Sequence, residues 1–247
     1  VTGPLLSLRD VAMSYGAVAA LRGVDLDIRA GEVLALCGDN GAGKSSLVKI
    51  LAGAQRPTGG TVALDGAPVA FRSPQDALRR GVATIYQDLA VAPRLSIWQN
   101  VFLGSELTRR PFGLLDKRRM AEMSRGFLAR LAVTIADMET PVESLSGGQR
   151  QAVAICRALR WDARIIIMDE PTAALGVKET AQVLGLIRRL HDEGRTVILV
   201  SHAMQDVVAV AGRVVVLKAG RKTEDRPVAG LTAGDLAGLV MREPEAA

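Results

Sequence analysis

Residues 33–45 read Val33-Leu34-Ala35-Leu36-Cys37-Gly38-Asp39-Asn40-Gly41-Ala42-Gly43-Lys44-Ser45, five apolar residues running straight into a glycine-rich octet. The apolar run lacks polar alternation, so it predicts a strand covered on both faces. The octet fits G-x-x-x-x-G-K-[ST]. Behind it Leu47, Val48, Ile50 and Leu51 recur on one face of a predicted helix, with Gly53 and Pro57 past its end as stop signals. A strand, a tight glycine turn and a helix start converge backbone N–H groups on one point, which suits a polyphosphate. Lys44 then reaches the β- and γ-phosphates, and the Ser45 hydroxyl is placed to ligate Mg²⁺. Gly38, Asp39, Asn40, Gly41, Ala42, Gly43 and Ser46 complete the predicted phosphate-binding stretch. A mere glycine-rich turn is the bland alternative, and the strand–helix context speaks against it.

Outward from this stretch, Leu5-Leu6-Ser7-Leu8 and Val24-Asp25-Leu26-Asp27-Ile28 alternate as strands, with turns at Tyr15-Gly16 and Ala30-Gly31. Thr61–Leu64 is another strand pattern, followed by the turn Asp65-Gly66. From Pro93 to Trp161 helix formers dominate, most clearly in Asp116–Leu131. Strand patterns return at Arg164–Met168 and Thr196–Val200, with an amphipathic helix expected over Lys178–His191 between them, and Val214–Leu217 closes the set. Strands alternating with helices predict an α/β fold with a helical insertion between two halves of one core. The expected boundaries are 1–92 and 161–226 for the core, 93–160 for the helical part, and 227–247 for a tail with one short helix near Asp235–Met241.

The 247 residues are 49% hydrophobic and 23% charged, which excludes a disordered or collagenous chain. No apolar stretch reaches the roughly 20 residues of a membrane span. Val197–Leu217 comes nearest and is broken by His202, Gln205, Asp206 and Arg213. No basic start followed by an apolar run and a cleavage site is visible, so no signal peptide is expected. Cys37 and Cys156 stand far apart in apolar settings, which predicts free thiols and a reducing compartment. The net charge of +5 could suit nucleic acid or an anionic membrane. Its basic residues come in scattered groups (Arg79-Arg80, Arg109-Arg110, Lys117-Arg118-Arg119, Arg188-Arg189) and aromatics are 3%, so no nucleic-acid partner is expected.

Arg164-Ile165-Ile166-Ile167-Met168-Asp169-Glu170 is an apolar strand ending in two carboxylates. In a parallel sheet that end opens onto the ligand crevice. Asp169 there is suited to hold Mg²⁺ through its water shell, and Glu170 to take a proton from a water attacking the γ-phosphate. Leu145-Ser146-Gly147-Gly148-Gln149-Arg150 precedes a helix and offers a second start with exposed donors. One nucleotide needs no second cradle, so the economical explanation is two chains face to face, each lending Ser146, Gly147, Gly148 and Gln149 to the other's nucleotide. His202 follows the strand Thr196–Val200 and is positioned to touch the γ-phosphate. Gln87 lies where the α/β half gives way to the helical half, suited to ligate the metal or the attacking water.

Taken in order, the phosphate loop, Gln87, LSGGQ, IIIMDE and His202 resemble the ATP-binding cassette proteins over nearly the whole chain. The resemblance implies a P-loop NTPase core with a mixed, largely parallel sheet, an N-terminal antiparallel β subdomain and an inserted α-helical subdomain. It implies ATP and Mg²⁺ as cofactors, Tyr15 stacked on adenine, and two chains closing head-to-tail around two ATP. The stretches Ser73–Ala77, Gly81–Leu89 and Ile97–Gly104 are similar to the cassettes of bacterial monosaccharide importers of the ribose, xylose and fructose type. That implies a cytoplasmic ATPase peripheral at the inner membrane face, a separate permease met through residues 88–104, and indirectly a sugar-binding protein. The alternative reading is a soluble ATP-switched clamp without a permease. One departure stands out: after Leu175 the family usually has an Asp crossing the dimer interface, and here it is Gly176.

Overall fold

The structure is a computed structural model that describes residues 3–109, 111, 113–173 and 175–242. Arg110, Ala174 and the last five residues of the expected tail lie outside the described residues.

Ten elements build the first half: β1 (Leu6–Tyr15), β2 (Val18–Ile28), β3 (Val33–Cys37), α1 (Lys44–Leu51), β4 (Gly59–Leu64), β5 (Ala67–Pro68), α2 (Pro74–Arg79), β6 (Val82–Ile85), α3 (Ile97–Phe102) and β7 (Thr108–Arg109). There follow β8 (Leu114–Leu115), α4 (Lys117–Arg130), α5 (Gly147–Arg160), β9 (Ile165–Asp169), α6 (Val177–Asp192), β10 (Thr196–Val200), α7 (Met204–Val210), β11 (Arg213–Lys218), β12 (Arg221–Pro227) and α8 (Ala233–Met241).

Two main sheets result. An antiparallel sheet has the order β2-β1-β4-β5. A six-stranded sheet has the order β12-β11-β3-β10-β9-β6, parallel except for β12 at its edge. Because side chains alternate along a strand, β3 splits its residues between two cores. Leu34 and Leu36 pack with α1 and the antiparallel sheet, whereas Val33, Ala35 and Cys37 face the helices of the other layer. β9 divides in the same way, Ile165 and Ile167 against Ile166 and Met168. Two-sided burial is why these strands read as unbroken apolar runs.

Three expectations need correction. Val214–Leu217 does not close the sheet: β12 follows and pairs antiparallel with β11. Its sequence, RKTEDRP, is polar because an edge strand meets water on its free side, and charge there blunts unwanted pairing. Within the helical stretch, β7 and β8 form a two-stranded hairpin. Third, α2 had no counterpart in the sequence reading, although Ser73 accepts from Asp76 N at its start and Pro74 opens it. Cys37 and Cys156 are free and buried, and burial pushes the Cys37 thiol up to about 11.

Candidate active site

Four neighbouring strands end at one edge of the six-stranded sheet. Register pairs Leu36 with Val200, Val200 with Asp169, and Ile85 with Met168. The loop after β3, His202 after β10, Asp169-Glu170 at the end of β9, and Gln87 after β6 therefore lie in that order along the edge. The acid pair is one strand removed from the phosphate loop, with His202 rising between them.

In the loop, Gly38 has φ +146°, and a Cβ there would sit 2.2 Å from the Leu217 carbonyl oxygen. Gly41 has φ +79° with open space around it, and Gly43 caps α1. The loop is backed from behind by the β11–β12 turn: Gly220 N donates to Ala42 O at 3.0 Å, and Arg22 N donates to Gly220 O at 2.8 Å. Lys44, 8% exposed, donates from Nζ to Gly38 O at 2.6 Å and Asp39 O at 2.9 Å, which folds its charge over the loop. Asp39, Asn40, Gly41 and Ser45 are exposed, Ala42 is buried, and Ser46 is half-buried.

Glu170 adopts φ +50°, a left-handed backbone that costs a non-glycine residue roughly 1 kcal/mol or more. The conformation is fixed by Glu170 N donating to Val200 O at 2.9 Å. It leaves Oε1 3.1 Å from His202 Nδ1. Ser201, buried, accepts from Ala203 N at 3.0 Å, a side-chain turn that presents His202 to the edge. Thr172 Oγ1 donates to Asp206 Oδ2 at 2.7 Å and ties the stretch after Glu170 to α7. The Asp169 carboxyl is held above the usual carboxylate range, first by burial and then by the Glu170 charge, with Lys44 pulling the other way. Burial and the Asp169 charge likewise raise Tyr86. Gln87 itself is exposed, two residues past β6.

Two groups lie apart from this edge. Tyr15 ends β1 and is 42% exposed, and its hydroxyl donates to Gln55 Oε1. The Ser146–Gln149 segment opens α5 with a reciprocal cap: Ser146 N donates to Gln149 Oε1 at 3.0 Å and Gln149 N donates to Ser146 Oγ at 3.3 Å. Ser146 is exposed, but the expected exposed donors are not all free. Gly147 N donates to Glu179 Oε1 at 2.9 Å, while Glu179 Oε2 accepts from Gly176 N at 3.3 Å. One carboxylate thus closes the starts of both α5 and α6. Cβ atoms on Gly147 and Gly148 would meet the side-chain ends of Leu175 and Gln182, at 2.6 and 2.5 Å, so either substitution would have to push a flexible side chain aside. Sequence reading missed Glu179, Ser201 and Gln55. For Glu179 the signal was its place three residues into α6; for Ser201, its place just before His202. No local pattern marks Gln55.

Gly176 is the extended cap residue of α6, and a Cβ there would meet nothing nearer than Glu179 Oε2 at 4.0 Å. Gly176→Asp therefore fits. We expect it to change folding stability by about a few tenths of a kcal/mol. ATP turnover should stay within about fivefold, since one interface hydrogen bond is worth ~1 kcal/mol. A steady-state assay showing a rise of about a hundredfold would mean that interchain coupling is crippled here.

A glycine-wrapped lysine loop, a paired acid and histidine at the same sheet edge, and a capped Ser-Gly-Gly-Gln helix start define a P-loop nucleotide-binding domain of the cassette type. The chain belongs to the ABC transporter family, whose sequence profile matches residues 21–173. It is 45% identical over 235 residues to the ribose import ATP-binding protein RbsA 1 of Streptomyces coelicolor, covering 95% of this chain and 46% of that one. It is 49% identical over 217 residues to the xylose/arabinose import ATP-binding protein XylG of Sulfolobus acidocaldarius, covering 88% and 86%. The chain thus spans about half the length of the ribose relative and most of the xylose/arabinose one. Among solved structures, the dimeric ATP-binding cassette MJ0796 bound to ADP and Pi superposes with a TM-score of 0.76 at 26% identity, covering 92% of this chain and 100% of that one.

Proposed function

We propose that this chain is the ATP-hydrolysing subunit of a monosaccharide importer, in which two copies close head-to-tail around two ATP and drive a separate permease. The observation that carries the reading is the Glu170–His202 pair, 3.1 Å apart at the sheet edge that also bears Lys44. Glu170 takes the proton of the attacking water, and His202 holds the other side of the γ-phosphate. Lys44 and the loop amides hold the β- and γ-phosphates, Tyr15 stacks on the adenine, and Ser146–Gln149 of the opposing chain closes the site. The names of the ribose and xylose/arabinose relatives support sugar import.

Among the described residues no three or more His, Cys, Asp or Glu side chains gather to hold a metal ion. Mg²⁺ fits such a site, because it takes one or two protein oxygens and keeps phosphates and water for the rest. Ser45, Asp169 and Gln87 would hold it, and bound there it neutralises charge on the phosphates. Protons compete with the ion at Asp169. Since burial and Glu170 raise that carboxyl, the Mg²⁺-dependent gain in nucleotide affinity should weaken on acidification at a higher pH than for an ordinary exposed aspartate. Nucleotide titrations with and without Mg²⁺ between pH 7 and pH 5 check this, and Asp169→Asn should lack the gain throughout; an unchanged gain in that variant would remove Asp169 from the metal site.

The permease surface lies at a groove of about 370 Å³, where Ala90, Leu103 and Gly104 face Gln75, Arg79 and Arg157. Those three residues are the part of 88–104 that lines it; β6 with Tyr86, α2 and the end of α5 supply most of the rest. No described helix is long and apolar enough to cross a membrane. On this reading the permease holds the chain at the inner membrane face, and an external binding protein delivers the sugar. Tagging the chain in its native cell and solubilising membranes in mild detergent tests the reading. A multi-span permease should co-purify. Recovery solely with cytosolic partners would favour a soluble ATP-switched clamp.

A further inference from the structure

We propose that the β7–β8 hairpin and its basic flanks form a contact surface for an anionic lipid leaflet, beside the groove assigned above to the permease. Its orientation toward the membrane rests on that assignment. Between Leu107 and Met120 the sequence carries five basic residues (Arg109, Arg110, Lys117, Arg118, Arg119) against the single acid Asp116, so these fourteen positions hold a net +4 of the chain's +5. The fold makes little use of that charge. Arg109 pairs with Asp116 at 2.9 Å and Arg118 with Glu122 at 3.2 Å, both on the surface, where ion pairs contribute little. The exposed side chains of Lys117 and Arg119 make no ion pair or hydrogen bond among the described residues.

The same hairpin exposes apolar surface. Leu114 is 66% exposed and Leu115 46%. They are consecutive residues of one strand, opposite Arg109 and Thr108, so they point to opposite faces of the hairpin. A two-stranded hairpin in water normally turns an apolar face onto something. Docking against a protein would cover one face. Entry into a fluid interface covers both at once, with leucines at the acyl boundary and guanidinium and ammonium groups among the phosphates. The hairpin also springs from the groove wall: Asp116 N donates to Leu107 O at 2.8 Å at its base, and Arg160 anchors the preceding Ser105 carbonyl at 3.2 Å, next to Leu103 and Gly104. A permease seated in the groove would therefore have the hairpin beside it, and we take that side to face the membrane.

The test is flotation of the purified full chain with vesicles of phosphatidylcholine alone or with about one third phosphatidylglycerol. Recovery should be about tenfold higher with the anionic vesicles and should fall as salt is raised. Leu114→Ser/Leu115→Ser and Lys117→Glu/Arg119→Glu should each remove most of it while ATP turnover in solution stays at the wild-type level, which controls for folding. Equal recovery on both vesicle types, or full recovery of both variants, overturns the proposal. So does a variant that floats normally yet no longer co-purifies with a permease, since the surface would then belong to a protein partner. Permease co-purification without flotation sinks the hairpin proposal alone, and flotation without a permease sinks the transport reading alone.

Discussion

Glu170→Gln should lower steady-state ATP turnover by about 10²–10⁴-fold and leave ATP binding intact. The amide is isosteric, so the left-handed backbone, its hydrogen bond to Val200 O and the packing of β9 persist. What disappears is the carboxylate that faces His202 Nδ1 and that, in the proposed function, receives the proton of the attacking water. On the proposed function, two copies would then close around ATP and have no chemical step to part them. Gel filtration with ATP should show a persistent dimer, and equilibrium titration should show unchanged or tighter nucleotide affinity. Turnover within tenfold of the wild type would take Glu170 out of the proton-accepting role, and His202 or a water chain would have to supply it.

Gly38→Ala should abolish nucleotide binding and cost several kcal/mol of stability, on the order of 3 or more from strain and overpacking together. The backbone at φ +146° is nearly closed to a side chain, and the new methyl would sit 2.2 Å from Leu217 O. That oxygen belongs to the backbone of β11, paired in the sheet, and cannot swing aside as a side chain would. Gly41→Ala is the contrast. It shares a positive φ but meets nothing within 4 Å, so only the left-handed penalty of ~1–2 kcal/mol remains. Thermal melts and nucleotide titration of the pair should therefore separate clearly. Equal behaviour would mean that the loop relaxes away from Leu217, and the close approach would carry no weight.

How far the fold was legible depended on which residues water touches. β3 and β10 coincide with their apolar runs, and β9 departs by one residue at each end, because both faces of these strands are buried and nothing polar interrupts them. α6 and α8 were legible from their periodicity to within two residues. β12 was not, because a polar edge strand has the composition of a loop. β7 and β8 are two residues each and carry no periodicity at all. At the site, the shared edge of Lys44, Asp169, Glu170 and His202 followed from strand polarity, whereas Gln87 was placed only at the boundary of the two halves, because the short strand β6 before it was not legible as one. The left-handed backbone of Glu170 did not, since it depends on Val200 in another strand. Nor did the engagement of Gly147 by Glu179, a contact across 32 positions of sequence that no local spacing encodes.

That last contact has a mechanical consequence. With both oxygens of Glu179 committed, one to the start of α5 and one to the turn that follows Glu170, the two helix starts share a common pivot. A swing of α5 would pull through that carboxylate on the turn at Gly176, six residues from Glu170. On the proposed function, closure and chemistry would be strokes of one lever, and substituting Glu179 would release both helix starts at once.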